Sequence, residues 1–188
     1  MTKKSRTYAA ILIFIGGIYF LTASATTHIW ELYRKQESAL VEDRNGLEVA
    51  LLPNTKGHYM RPVSTAPQEF TQLLIAKEDK YFYSHPGINV ASILRSLIRY
   101  PFTGYLQGSS TLTQQVVKNV LGNETKRTLS NKIKEAFYAL SLELHTSKED
   151  ILTMYANTAY FGNQAQGIAE ASRVYFNLPP ESLGSSEY

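Results

Sequence analysis

The chain has 188 residues, 44% of them apolar, and no cysteine. That length suits one domain plus a short extra segment, the apolar share can fill a core, and neither a disulfide framework nor a thiolate metal site can be built. The formal charge of +3 comes from Lys3, Lys4 and Arg6, which leaves 16 of the 19 basic residues against 16 acidic ones. The body is therefore neutral, which argues against a nucleic-acid-binding surface and for a positive N-terminal tail.

No charged residue other than His28 lies between Arg6 and Glu31. A helix through residues 8–27 is long enough to cross a hydrocarbon layer of roughly 30 Å at about 1.5 Å per residue. Residues 1–7 then form a cytoplasmic tail, with Trp30 and Tyr33 at the far interface and the rest of the chain outside. The competing reading is a cleaved signal peptide, since Ala23-Ser24-Ala25 fits the small-x-small pattern. Both readings export the domain. A buried helix of a soluble protein is the third reading, and basic residues only at the start suit it poorly.

Residues 28–66 read as a short juxtamembrane helix over 31–40, a hairpin from Val41 to Leu52 turned at Asn45-Gly46, and an extended linker over 53–66. A single mainly α domain is expected over 67–188. Helical periodicity places helices from Gln68 to about Lys80, around Ile93, Leu94, Leu97 and Ile98 up to Pro101, from Thr111 to Leu121 with Gly122 closing it, and from Thr128 to Leu144. A capping box at Ser147-Lys148-Glu149-Asp150 opens a fifth, and Gln164 to Phe176 reads as a sixth.

Candidate chemistry starts at Glu78-Asp79-Lys80-Tyr81-Phe82-Tyr83-Ser84-His85-Pro86-Gly87. A carboxylate beside Tyr81, Phe82 and Tyr83 is expected to be partly desolvated, which makes it a better base. Taken alone, Glu78 reads as an exposed helix-end acid and His85 as a structural hydrogen-bonder; the combination points to chemistry. Gly108 through Gln115 gathers hydroxyls and amides. If Ser110 caps the following helix, free N–H groups there suit an anion, while Gln114 and Gln115 suit sugar hydroxyls or amides. Lys118, Lys126, Arg127, Lys132 and Lys134 form a local positive field able to hold a pyrophosphate, although such a run is ordinarily a solvated helix face. On the Thr128–Leu144 helix, Ile133, Phe137, Leu140 and Leu144 share one face. Ala139 and Leu142 lie nearer Glu135, so the helix is expected to be central and Glu135 to line a cleft or to pair with Lys132.

Four stretches occur in order: Glu78-Asp-x-x-Phe82-x-x-His85-x-Gly87, Gly108-x-Ser110-Thr-x-Thr-Gln-Gln115-x-x-Lys118-Asn119, Lys132-x-x-Glu135, and Lys148-x-x-Ile-Leu-x-x-Tyr155-x-Asn157-x-x-Tyr-Phe-Gly162. They resemble the peptidoglycan glycosyltransferases (transglycosylases, family 51), which occur as monofunctional enzymes and as the N-terminal module of class A penicillin-binding proteins. The resemblance covers roughly residues 41–188, and the Asp43-Arg44-Asn45-Gly46 hairpin is more like the bifunctional type. It implies a lysozyme-like α fold with a small β hairpin behind one transmembrane helix. It also implies lipid II and the growing glycan strand as substrates, with release of undecaprenyl pyrophosphate.

On that resemblance Glu78 matches the general base and Glu135 the second essential acid. Lys118, Arg127 and Lys132 fall where the family holds pyrophosphate. Arg95, Ser110, Gln115 and Asn157 fall on cleft positions, and Asp79, Phe82, His85 and Gly87 are supporting. No cofactor is required, with a divalent cation (Mg or Mn) at the pyrophosphate left open. Expected partners are membrane lipid and cell-wall synthesis proteins, with no nucleic acid. The expected location is the inner membrane, single-pass, with the domain on the outer, periplasmic face. Tyr81 and Asn131 stand where the family usually has Arg, and Ser109 where it has Gly. The family continues through further helices, so the domain is expected to be incomplete at Tyr188. A non-catalytic cell-wall-binding module and a lysozyme-like hydrolase are the alternatives, and the basic cluster separates the transferase from the hydrolase.

Overall fold

The computed structural model describes residues 3–103, 110–122, 128–184 and 186–187. The first element, α1 (Lys3–Arg34), is one unbroken helix. Its Ala10–Arg34 portion is long and apolar enough to cross a membrane, its apolar 18-residue stretch having a mean hydropathy of 1.8. The large apolar side chains from Ile11 to Leu21 are exposed, whereas Thr22, Ala25, Thr26, Ile29 and Tyr33 are buried in the domain. The expected stop at residue 27 and a separate helix over 31–40 are therefore corrected. No glycine or proline interrupts Thr22–Arg34, and the buried stripe gives the helix a reason to continue. Ala23-Ser24-Ala25 lies inside this helix.

The strands β1 (Ala39–Glu42) and β2 (Glu48–Leu52) form the expected antiparallel hairpin. Asp43 Oδ1 accepts from the amides of Asn45 and Leu47 at 2.7 and 2.9 Å. Those backbone donors, Leu47 first, hold its carboxyl below the usual range. The linker over 53–66 is not wholly extended. It carries β3 (Tyr59–Met60), which joins β4 (Tyr160–Gly162) and β5 (Ala165–Gln166) in a sheet of order β3-β5-β4. Arg61 Nε donates to Glu170 Oε2 at 2.9 Å and Arg61 also pairs with Glu48, so this linker fastens the hairpin to the domain.

The remaining helices are α2 (Gln68–Glu78), α3 (Val90–Thr103), α4 (Leu112–Leu121), α5 (Leu129–His145), α6 (Lys148–Thr158) and α7 (Ile168–Phe176). Three boundaries differ from expectation. The helix α3 carries Pro101 inside its last turn; proline lacks the N–H but keeps a helical φ, so it ends the bond ladder without at once expelling the backbone. Helix α7 starts at Ile168 instead of Gln164, because residues 160–166 form strands and Asn163 and Gln164 have positive φ. The cap of α4 is Thr111, not Ser110.

The core centres on α4. Leu112, Val116 and Val117 are fully buried, and α1, α5 and α6 pack around them together with Ile29, Phe82, Leu142, Ile151 and Met154. Each such side chain contributes about 1.5–3 kcal/mol by leaving water. The expectation that α5 is central is overturned. Ala139, Ser141 and Leu142 face the core, while Ile133, Phe137, Leu140 and Leu144 are exposed. Of its two apolar faces, the smaller one packs, because α4 already fills the middle. The mainly α class with small β elements and one N-terminal candidate span is as expected.

Candidate active site

Glu78 is the last residue of α2, and Asp79 caps it. The Asp79 side chain is buried, accepting the Leu112 amide hydrogen at 3.0 Å and lying 3.1 Å from His85 Nε2. A carboxylate is acceptor-only, so His85 carries its proton on Nε2 and donates it there. Its Nδ1 is buried with no partner among the described residues. The end of α2 is thus fastened to the start of α4, where negative charge is favoured by the helix dipole.

This contact revises the expected anion site. The Leu112 amide serves Asp79, the Gln114 amide serves Thr111 Oγ1 at 3.2 Å, and the Thr111 amide serves Gln114 Oε1 at 3.1 Å. The Leu112 and Gln114 amides in the first turn of α4 are thus taken by the protein's own groups. Gln114, expected to be free for a ligand, closes a capping box with Thr111.

Glu78 is exposed, so the expected desolvation by the aromatic loop does not occur: Phe82 is fully buried and Tyr81 and Tyr83 point to solvent. Its polar neighbour is Gln115 Nε2, at 3.4 Å from Oε2. Its charge also reaches Tyr155 on α6, whose hydroxyl is held above its ordinary pKa by burial first and by Glu78 second.

The second acid lies on α5. Lys132 Nζ sits 2.5 Å from Glu135 Oε1 and 2.8 Å from Ser110 Oγ. The pairing with Lys132 is as expected on the helix. Ser110 precedes the α4 cap, and Gln115 follows one turn later. Both acids are thereby linked to the stretch 110–115, Glu78 through Gln115 and Glu135 through Lys132 and Ser110. The Lys132 side chain is 40% exposed, so its ammonium can be shared with an incoming anion, while Glu135 at 17% is half-sheltered.

Gly87 lets this region close up. Thr111 Oγ1 donates to its carbonyl at 2.6 Å, and a Cβ there would lie 2.8 Å from the Ala139 carbonyl oxygen. Its φ of +86° adds a second reason for glycine.

The other expected residues have different settings. Asn157 is fully buried: Oδ1 accepts from the Val63 amide at 2.8 Å, and Nδ2 donates to Tyr33 hydroxyl at 2.8 Å and Val63 carbonyl at 2.9 Å. It ties α6 to α1 and the linker, with its amide taken up by those bonds. Arg95 and Lys118 are exposed on α3 and α4. Arg127 and Lys126 lie outside the described residues. Sequence reasoning missed Glu143, which pairs with Lys148 at 2.8 Å. Its buried carboxylate follows Ala139 by one turn on the packed side of α5, a signal visible only once the packed face is known. Among the described residues no group of three acidic or histidine side chains is placed to hold a metal ion.

The arrangement offers an accessible carboxylate and, from another helix, a carboxylate with a shareable cation. Such a pair fits transfer chemistry in which one side takes a proton and the other receives negative charge. A family model described as transglycosylase matches residues 45–188, and the chain belongs to the transglycosylase family. It is 36% identical over 163 residues to penicillin-binding protein 2a of Streptococcus pneumoniae, covering 86% of this chain and 22% of that protein. It is 39% identical over 151 residues to penicillin-binding protein 1F of Bacillus subtilis, covering 80% and 21%. With penicillin-binding protein 1A of Mycobacterium tuberculosis it shares 34% identity over 186 residues, covering 95% and 23%. The chain thus spans less than a quarter of the length of these curated relatives.

Proposed function

We propose that this chain is a peptidoglycan glycosyltransferase of cell-wall synthesis, polymerising lipid II into glycan strands at a membrane surface. The observation that carries the reading is the Lys132 ammonium shared between Glu135 and Ser110, on the same short stretch that Glu78 meets through Gln115.

In the proposed reaction the acceptor's sugar 4-hydroxyl gives its proton to the Glu78 carboxylate. Its oxygen forms a bond to the donor's anomeric carbon. The bond from that carbon to the diphosphate oxygen breaks, and its electron pair leaves with undecaprenyl pyrophosphate. Attack opposite the leaving group inverts the anomeric centre, a division of labour like that of inverting glycosidases. Lys132, held by Glu135, meets the growing negative charge, with Lys118 and Arg127 as further cations. A divalent cation at the diphosphate is compatible with this scheme, and no step is assigned to it.

Both substrates carry lipid tails, so a membrane-spanning α1 raises their effective concentration at the site. The basic residues Lys3, Lys4 and Arg6 at the start of α1 support an N-terminus in the cytoplasm and a domain on the outer face of the inner membrane. Incubating the purified chain with fluorescent lipid II and resolving the products on a gel tests the reading. Ladders of strands are expected, and absence of any polymer with intact lipid II recovered would overturn it.

A further inference from the structure

On the glycosyltransferase reading, on which this inference rests, we propose that Lys148 is a positioning residue for Glu78, acting with Glu143 as a clamp on the loop that follows the base. Lys148 opens α6 and acts at a remove from Glu78, whose polar neighbour is Gln115. Its ammonium has three protons, and each has an acceptor: Phe82 carbonyl at 2.6 Å, His85 carbonyl at 2.8 Å and Glu143 Oε1 at 2.8 Å. The same nitrogen lies 4.3 Å from the centre of the fully buried Phe82 ring. Glu143 Oε1 also accepts from Thr113 Oγ1 at 2.6 Å, so the clamp joins α4, α5 and α6.

Two of the three acceptors are backbone oxygens that bracket the 3-10 turn Phe82–Ser84. The side chains of Glu143 and Lys148 are only 6% and 19% exposed. Ions at that depth bear a desolvation cost that an apolar pair of similar volume would avoid. A methionine at 148 could fill the space, yet it could not hold two loop carbonyls. What the lysine adds is loop geometry.

The loop is held at its ends as well. Asp79 is fixed by Leu112 and His85, and the Gly87 carbonyl by Thr111. Glu78 projects from this framework exposed, with a single long polar contact of its own among the described residues. A side chain held so lightly takes its direction from its backbone. Whatever fixes residues 79–87 therefore fixes the aim of the carboxylate, and misplacement by about 1 Å can cost on the order of a hundredfold in rate.

The test uses the full chain in detergent with fluorescent lipid II, comparing wild type, Lys148→Met and Glu143→Gln. Lys148→Met is expected to lower kcat by tenfold or more with KM changed less than about twofold, and to raise amide exchange at residues 82–87. Glu143→Gln keeps an oxygen for Lys148 and Thr113 and is expected to give a smaller change of the same kind, so it serves if Lys148→Met does not fold. Unchanged kcat in the variants, or a fall in kcat without faster exchange in the loop, overturns the positioning role and leaves the proposed function standing. A wild-type chain that makes no polymer overturns the proposed function, and this role with it. Loss confined to KM assigns Lys148 to substrate binding and overturns the inference.

Discussion

The Asp79 carboxylate accepts the Leu112 amide hydrogen at 3.0 Å, joining the end of α2 to the beginning of α4. Glu78 precedes this junction by one residue, and Ser110 precedes it by two on the other strand of the connection. The junction therefore brings the acid that ends one helix beside the polar stretch that begins another.

Replacing Glu78 with Gln removes the proposed base while keeping its shape. Because the side chain is exposed, the melting temperature is expected to stay within a degree or so, whereas polymerisation falls by about a hundred- to ten-thousandfold. Strand yield on a gel, with a thermal melt beside it, checks both. Wild-type yield from the variant would remove Glu78 from its role.

Lys132→Ala acts on the other side. The lysine is 40% exposed and pairs with Glu135, so folding changes little. A charge-assisted hydrogen bond to diphosphate is worth about 1.5–3 kcal/mol, so affinity for a diphosphate-bearing lipid should fall roughly ten- to a hundredfold. Equal affinities for wild type and variant by titration calorimetry would refute the contact.

Asn157→Ala is expected to behave as a folding variant. It leaves the buried Tyr33 hydroxyl and the part-buried amide and carbonyl of Val63 without their partner. Each orphaned buried group costs about 1–3 kcal/mol. A denaturant titration should show the midpoint moving down. An unchanged midpoint with lost activity would return Asn157 to the cleft.

Gly87→Ala meets two obstacles, a φ of +86° and an Ala139 carbonyl 2.8 Å from the new carbon. Left-handed backbone on a non-glycine residue costs of order 1–3 kcal/mol before the clash is counted. The variant should melt earlier and exchange amides faster around Thr111. A melt identical to wild type would show that the loop shifts freely.

Acid should loosen the hairpin first. The Arg61 hydrogen bond, foremost, holds the Glu48 carboxyl below its usual range, and the Leu47 and Asn45 amides do the same for Asp43. A depressed carboxyl stabilises the fold fully above its unfolded pKa, near about 4, and that contribution is lost as pH falls through the lower folded value. Hydrogen exchange is expected to quicken at Leu47 and Glu48 below about pH 4, ahead of α4. Simultaneous loosening of both would sink the idea.

Much of the helical order was legible because it rests on local signals. Ser147 caps α6 as expected, Thr128 caps the helix that was expected to begin there, and Gly122 closes α4 in a left-handed conformation. What periodicity could not supply was which face meets which neighbour. On α5 the larger apolar face is the exposed one, a choice made by packing against α4 just before it and α1 more than ninety residues away. The Lys132–Glu135 pair was readable because residues three apart share a helix side. The filling of the α4 N-terminus by Asp79 was not, since that contact crosses 33 positions. Asn157 carried a family pattern but no depth, and depth decided its task.

The unbroken course of α1 carries one more consequence. It passes from exposed apolar turns at Ile11–Leu21 directly into the core at Ile29 and Tyr33, where Thr26 Oγ1 donates to the Ser141 carbonyl at 2.8 Å. A domain on a slack leash can roll and face any direction, but one mounted on a stiff mast keeps its height and heading as it drifts. On the proposed reading, any strand made at this site would emerge along a bearing set by the tilt of that mast.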